Sequence, residues 1–280
     1  MSRLALSKYQ ASGNDFLLVD ELDSPVGDLD VPALCDRWTG IGADGLIRVG
    51  RGATAAFSFG LTNADGTPAE MSGNGMRCLA GWLRDRDLVA HGDAIDVDTP
   101  AGIRHVWLTL DGATVQMGQP DFTKAAIPMR GPAWETFQEQ PFDIGDGRTL
   151  AATAVSMGNP HLVLFTQEDP ERYHFEHIGP ALEHHELFPE RTNVEFARIT
   201  DDGIEVRVWE RGVGETLACG TGACAVTVAA HEAGRIGRQV GVRFRGGTLH
   251  VERRSDGEVL LGGPVRHVFE AVVDPDELDA

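Results

Sequence analysis

Lysine is nearly absent. The 280-residue chain holds two, Lys8 and Lys124, among 24 basic residues. A pyridoxal-phosphate enzyme needs a lysine for its Schiff base, so only two positions could serve one. Positive charge is scarce as a whole, with a formal net charge of −19. Nucleic acid and anionic membrane surfaces are therefore not expected partners. Cysteine is sparse too. Cys35, Cys78, Cys219 and Cys224 form no CxxC pair and no Cys/His metal spacing, so no metal site is expected. A reduced, cytoplasmic setting fits that pattern. No run approaches the ~20 apolar residues of a membrane span. The first six residues are too short and polar for a signal peptide. What is present is ordinary for a globular protein: 42% apolar residues, 24% charged, and length for two domains or one large one.

The chain is organised around residues 210–225. A strand-like run, Ile204–Trp209, alternates apolar and charged residues and leads into Glu210 and Arg211. Cys219-Gly220-Thr221-Gly222 follows, then a small-residue run with helical character. Cys219 thus sits in a glycine-rich turn at a helix N-terminus. Free N–H groups and the helix dipole there favour an anion, and the same field is expected to lower the pKa of the thiol. A small buried cysteine in a plain corner is the competing account.

Elsewhere, Ser12-Gly13-Asn14-Asp15 reads as a tight turn between strands. A short helix is expected over Val31–Thr39, closed by Gly40. The glycine loop 40–45 precedes a strand, the wrong order for a dinucleotide fingerprint. Helices are expected over Met76–Arg86 and, in the polar stretch 169–190, over Pro180–His185. Strands are expected around Ala55–Thr62, Ala94–Thr99, Arg104–Thr109, Ala113–Met117, Ala151–Val155 and over four runs after Gly234. Residues 118–150 are rich in Pro and Gly and carry a domain boundary near 118–121. The last residues, Asp274–Ala280, read as an acidic tail.

The two halves echo each other. Gly13-Asn14-Asp15 matches Gly158-Asn159-Pro160, Asn63-Ala64 matches Asn193-Val194, and Ser72-Gly73-Asn74-Gly75 matches Cys219-Gly220-Thr221-Gly222. Asn14 to Ser72 is 58 residues (72 − 14), and Asn159 to Cys219 is 60 (219 − 159). Such spacing points to an internal duplication. Two facing halves could converge two helix N-termini on one anionic ligand across a cleft. The four asparagines would add neutral hydrogen-bonding groups, Glu210 could meet an ammonium, and Arg211 a carboxylate. Groups on opposite faces of one Cα suit racemisation or epimerisation by acid–base chemistry.

These segments resemble the diaminopimelate epimerase family. Those that carry the likeness are Gly13-Asn14-Asp15-Phe16, Gly40-Ile41-Gly42-Ala43-Asp44-Gly45, Asn63-Ala64-Asp65-Gly66, Gly73-Asn74-Gly75, Gly158-Asn159-Pro160-His161, Thr192-Asn193-Val194-Glu195-Phe196 and the stretch 210–225. The resemblance implies a cofactor-independent isomerase that interconverts LL- and meso-2,6-diaminopimelate, in lysine and peptidoglycan synthesis. It implies an α/β (α+β) fold of two pseudo-symmetric domains, each a curled mixed sheet around a central helix. Residues 1–118 plus 268–280 would form one half and 119–267 the other. A homodimer is expected, with a small amino-acid substrate as the other partner. Carried over by position, Cys219 is one acid/base group. Asn14, Asn63, Gly73, Asn74, Asn159, Asn193, Glu210, Arg211, Gly220 and Thr221 would bind substrate, with His161 in support.

Two positions depart from the family pattern. Gly45 stands where a glutamine is frequent, and Ser72 stands where the first catalytic cysteine belongs. A hydroxyl is a far weaker acid than a thiol and acts as a base only when a neighbour takes its proton. Glu70 and Asp65 are the nearest acidic residues in sequence. Cys78 is six residues on, among Leu79 and Trp82, and reads as core. Ser72 is compatible with a slow epimerase, with a one-base isomerase or lyase acting on another amino acid, with an impaired amino-acid-binding homologue, or with an engineered Cys→Ser substitution.

Overall fold

The computed structural model describes residues 3–69, 71–145 and 147–274. Glu70 and the acidic tail beyond Asp274 lie outside them. The fold is mixed α/β and rich in strands. It divides into two compact units, Met1–Gln116 with Gly262–Ala280, and Met117–Leu261.

In the first unit, strands β1 (Leu4–Ala11) and β2 (Asn14–Glu21) form a hairpin closed at Ser12 and Gly13, whose φ values are 53° and 95°. Glycine takes that left-handed conformation without strain. Helix α1 (Val31–Cys35) is capped by Asp30, whose side chain accepts from Ala33 N–H. It ends four residues before the expected Thr39. The Asp36 carboxylate accepts from the N–H groups of Trp38 and Thr39, a local turn that competes with further helix. Strands β3 (Gly45–Arg51), β4 (Phe57–Asn63) and β5 (Pro68–Ala69) follow, then helix α2 (Gly73–Asp85) and strands β6 (Ala94–Thr99), β7 (Gly102–Leu108) and β8 (Gly112–Gly118). Helix α2 packs against β1, β2, β3, β4 and β7, so the sheet curls around it. Its residues 73–83 are all buried, Trp82 completely.

The second unit repeats this order. Strands β9 (Gln140–Asp143), β10 (Thr149–Ser156) and β11 (Pro160–Phe165) lead to α3 (Phe175–Glu183). Strands β12 (Asn193–Thr200), β13 (Gly203–Glu210) and β14 (Gly214–Thr216) precede α4 (Gly220–Glu232). Strands β15 (Gln239–Phe244), β16 (Gly247–Arg253) and β17 (Val259–Pro264) follow, and β18 (Arg266–Val273) pairs antiparallel with β1. Helix α4 is almost wholly Ala, Val, Thr, Gly and Cys and is buried nearly all round, as a helix apolar on every face must be. It packs against β10, β11, β12, β15 and β16. Helix α3 begins five residues before the expected Pro180 and carries that proline inside it. The short strands β5, β9 and β14 lack the length for a legible period.

The duplication extends to register. Strands β2 and β3 pair in parallel, as β11 and β12 do; β3–β4 and β12–β13 are antiparallel; β4–β6 and β13–β15 are parallel. One sequence match fails. Phe16 opposite Gly45 corresponds to His161 opposite Asn193, so Gly45, not Asn63, is the counterpart of Asn193. Asn63 at the end of β4 corresponds to Glu210 at the end of β13, each nine residues before a helix N-cap (72 − 63 and 219 − 210). Identical letters point to the wrong pair; strand register sets the right one.

Candidate active site

Each unit carries the same corner. Ser72 is the N-cap of α2, at φ −142° and ψ 117°, and Cys219 is the N-cap of α4, at φ −127° and ψ 121°. Both helices run 13 residues. Each cap accepts from the N–H of the third residue on: Gly75 to Ser72 Oγ at 3.0 Å, Gly222 to Cys219 Sγ at 3.4 Å. The early helix start, at Gly73 rather than Met76, follows from this cap, which satisfies a donor that glycine-rich sequence leaves free.

Around Cys219 the second unit gathers Asn159, His161, Asn193, Glu195, Glu210 and Thr221. Thr221 Oγ1 lies 3.4 Å from Sγ, and Asn159 Nδ2 donates to that hydroxyl at 3.3 Å. His161, on β11, places Nε2 2.8 Å from Asn159 Oδ1 and Nδ1 2.6 Å from Glu195 Oε1. Asn193 donates to the Pro160 carbonyl and accepts from Arg211 N–H, which pins the end of β13. Glu210 accepts from Thr216 Oγ1 at 2.5 Å. The Arg211 side chain is exposed and reaches the Glu190 carbonyl at 3.5 Å, so it does not pair with Glu210.

The thiol does not have the lowered pKa expected from the helix dipole. Burial, then the carboxylates of Glu210 and Glu195, push Cys219 well above the ordinary thiol value; bonds from Thr221 and Gly222 oppose this without overcoming it. Burial also raises Glu210, against bonds from Thr216 and Cys219. A thiol so placed holds its proton at neutral pH.

In the first unit, half-buried Ser72 lies beside a directed chain. Arg77, fully buried, donates to Asn74 Oδ1 at 2.6 Å; Asn74 Nδ2 donates to Asn14 Oδ1 at 2.5 Å; Asn14 Nδ2 donates to Asp44 Oδ2 at 3.0 Å. Arginine only donates and ionised aspartate only accepts, so the two amides between them are fixed head to tail. Asp44 also takes Asp15 N–H and an Arg37 bond, which gives it a structural task. Asp65 closes a turn onto Thr67. Asn63 donates to Thr67 Oγ1 at 3.1 Å. Cys78 is fully buried, and burial pushes its thiol up to about 12, as suits core. Lys8 is held by the Gly42 carbonyl and Asp15, and Lys124 by Glu135.

Sequence reasoning gave no role to Glu195 or Arg77. The available signal was a charged residue inside an apolar run, Val194-Glu195-Phe196 and Met76-Arg77-Cys78. Among the described residues, no group of three or more His, Cys, Asp and Glu side chains could hold a metal, and no helix is long and apolar enough to cross a membrane.

A family model described as diaminopimelate epimerase matches residues 6–123 and 153–268. The diaminopimelate epimerase of Desulforudis audaxviator is 45% identical over 277 residues, 95% of this chain and 98% of that protein. That of Synechococcus sp. (strain JA-3-3Ab) is 45% identical over 96% of this chain and 97% of its own length. The chloroplastic enzyme of Oryza sativa subsp. japonica is 41% identical over 94% of this chain and 78% of its own. Among solved structures, a PhzF-family phenazine biosynthesis protein of Bacillus anthracis superposes with a TM-score of 0.69 at 14% identity, covering 98% of this chain and 99% of that one. A hydroxyproline epimerase of Agrobacterium vitis gives 0.67 at 14% identity, covering 97% and 92%. These two show a common fold; the sequence matches, which span nearly the whole chain, go further. The chain belongs to the diaminopimelate epimerase family.

Proposed function

We infer that the protein interconverts LL- and meso-2,6-diaminopimelate, without a cofactor, by moving the proton on Cα. The observation that supports this most is the pair of matching N-caps, Ser72 and Cys219, each at the mouth of a 13-residue helix. The free N–H groups of such a helix end suit a substrate carboxylate, which also makes the adjacent Cα–H more acidic. Glu210 suits the ammonium group. Cys219, as thiolate, takes the Cα proton and becomes a thiol; Ser72 is the second acid/base group and returns a proton to the carbanion, its own hydroxyl proton being replaced from solvent. Asn14, Asn63, Asn74, Asn159, Asn193 and Thr221 orient the substrate. Four free cysteines fit a cytoplasmic setting, and a homodimer is part of the same proposal.

The test is solvent deuterium exchange at Cα, started separately from the LL and meso isomers. Exchange with inversion from both supports epimerisation. Exchange from one isomer without inversion supports the second reading, a one-base site, which the serine at position 72 favours. No exchange from either isomer sinks the catalytic reading.

A further inference from the structure

The second unit buries a charged pair that the shared frame does not require. Glu195 and His161 are both fully buried, with Oε1 2.6 Å from Nδ1. The equivalent positions in the first unit, by strand register, are Ile47 and Phe16, both buried. Apolar residues close that sheet, so the pair is an addition to the half that carries Cys219. A buried carboxylate is costly unless it is paired and hydrogen-bonded. Glu195 Oε2 nonetheless has no partner among the described residues, so the carboxyl is held for its contact with His161. Gly222, whose N–H bonds Cys219, makes room for it: a Cβ there would stand 2.8 Å from Oε1.

The acceptors around His161 decide its protons. Nε2 faces Asn159 Oδ1, and an amide oxygen only accepts, so Nε2 carries a proton. Nδ1 then shares a second proton with Glu195, either as imidazolium and carboxylate or as imidazole and carboxylic acid. The pair is neutral in both forms. Asn159 Nδ2 donates to Thr221 Oγ1, which leaves the Thr221 hydroxyl proton free for Cys219 Sγ. From His161 Nε2 onward, every donor points toward the sulfur, which favours a thiolate. Loss of the shared proton leaves Nε2 bare. The Asn159 amide must then turn over, Thr221 becomes an acceptor, and the thiol must donate.

We propose that Glu195 is a positioning residue for Cys219: through His161, Asn159 and Thr221, the proton it shares decides whether the chain donates to the sulfur or accepts from it. One proton leaves the Glu195–His161 pair as the sulfur keeps one, and no bond to carbon is involved. The proposal rests on Cys219 as the reacting thiol. The charged and titratable groups that act on that sulfur are Glu210, Glu195 and, through the chain, His161.

The test needs no turnover, so its failure is separable from failure of the proposed reaction. Iodoacetamide alkylation of Cys219 is followed by mass spectrometry across the neutral to alkaline range, on the whole chain without substrate. In the wild type, loss of the proton shared by Glu195 and His161 would set a charge and a reversed chain against the thiolate. Glu195→Gln mimics the protonated acid and cannot do so. Its chain stays aimed at the sulfur, so its alkylation is expected to be about tenfold faster than that of the wild type, equal to one pKa unit. Introducing Thr221→Val should abolish that gain, because the chain is cut. Alkylation unchanged or slower in folded Glu195→Gln overturns the proposal, as does an equal gain with and without Thr221→Val. If Glu195→Gln does not fold, proton–nitrogen NMR of the His161 ring in the wild type decides. A protonated Nε2 at neutral pH supports the assignment, and a bare Nε2 overturns it.

Discussion

On the proposed reaction, Ser72→Cys should speed epimerisation. The substitution introduces a group whose pKa, ~8.5 in water, lies far nearer neutrality than that of a hydroxyl. The second unit shows that the frame accepts it. Cys219 holds almost the same φ and ψ as Ser72, and its sulfur caps α4 through Gly222 N–H as Ser72 Oγ caps α2 through Gly75 N–H. Space is comparable, since a Cβ on Gly75 would lie 3.3 Å from Ser72 Oγ and one on Gly222 3.4 Å from Cys219 Sγ. Loss of the better oxygen cap should cost no more than about 1 kcal/mol. A positioned acid/base group contributes ~10²–10⁴ in rate, so kcat/KM for epimerisation should rise by that order, with KM little changed. The assay is conversion of LL to meso isomer by circular dichroism or chiral chromatography. Wild type, Ser72→Cys and Ser72→Cys with Cys219→Ala are compared. An unchanged rate in Ser72→Cys would show that position 72 is not the partner of Cys219. A gain that survives loss of Cys219 would refute the two-group scheme itself.

Cys78→Ser should lose about 1–3 kcal/mol of stability to a buried hydroxyl, read by urea unfolding, while Cα exchange persists at the wild-type rate. Gly45→Gln, which introduces the residue frequent in the family, should lower Tm. A Cβ there would stand 2.6 Å from the Thr62 carbonyl oxygen, so strain of about 1–3 kcal/mol is expected. Alkali should destabilise the fold. Burial raises the Cys35 thiol from 9.0 to about 11 and the Cys78 thiol to about 12. The unfolded chain therefore releases these protons first, and stability present below pH 9.0 falls as pH rises toward the folded values. The slope is about 1.4 kcal/mol per pH unit per thiol in urea titrations, and Cys35→Ala should make it shallower. An unchanged slope would refute that account.

Much of the site was legible because it is made of backbone punctuation. Gly13, Gly158, Gly73 and Gly220 mark places where the chain must turn or a helix must begin, and those constraints survive in the letters. The pairing of Asn63 with Asn193 misled because residue identity is a weaker guide than register. Strand register makes Gly45 the counterpart of Asn193, and the end of β4 carries an amide where the end of β13 carries a carboxylate. The thiol pKa is illegible in the sequence for a related reason. A helix dipole can be inferred from local sequence, whereas burial and the carboxylates of Glu195 and Glu210 arrive from other strands. Arg77 and Glu195 looked like single charges in apolar runs, and only folding shows which amides they orient.

The pairing of β18 with β1 has a consequence for synthesis. Leu4 lies opposite Val273 and Gln10 opposite Arg266, so the first unit is closed by strands far apart in the sequence. The second unit, Met117–Leu261, is contiguous. On the ribosome the second unit can therefore complete its sheet first, while the earlier-made half waits, one edge open, for β18 to emerge. An exposed edge of that kind is a template for unwanted pairing. Truncation before Arg266 would thus injure the half that was translated first.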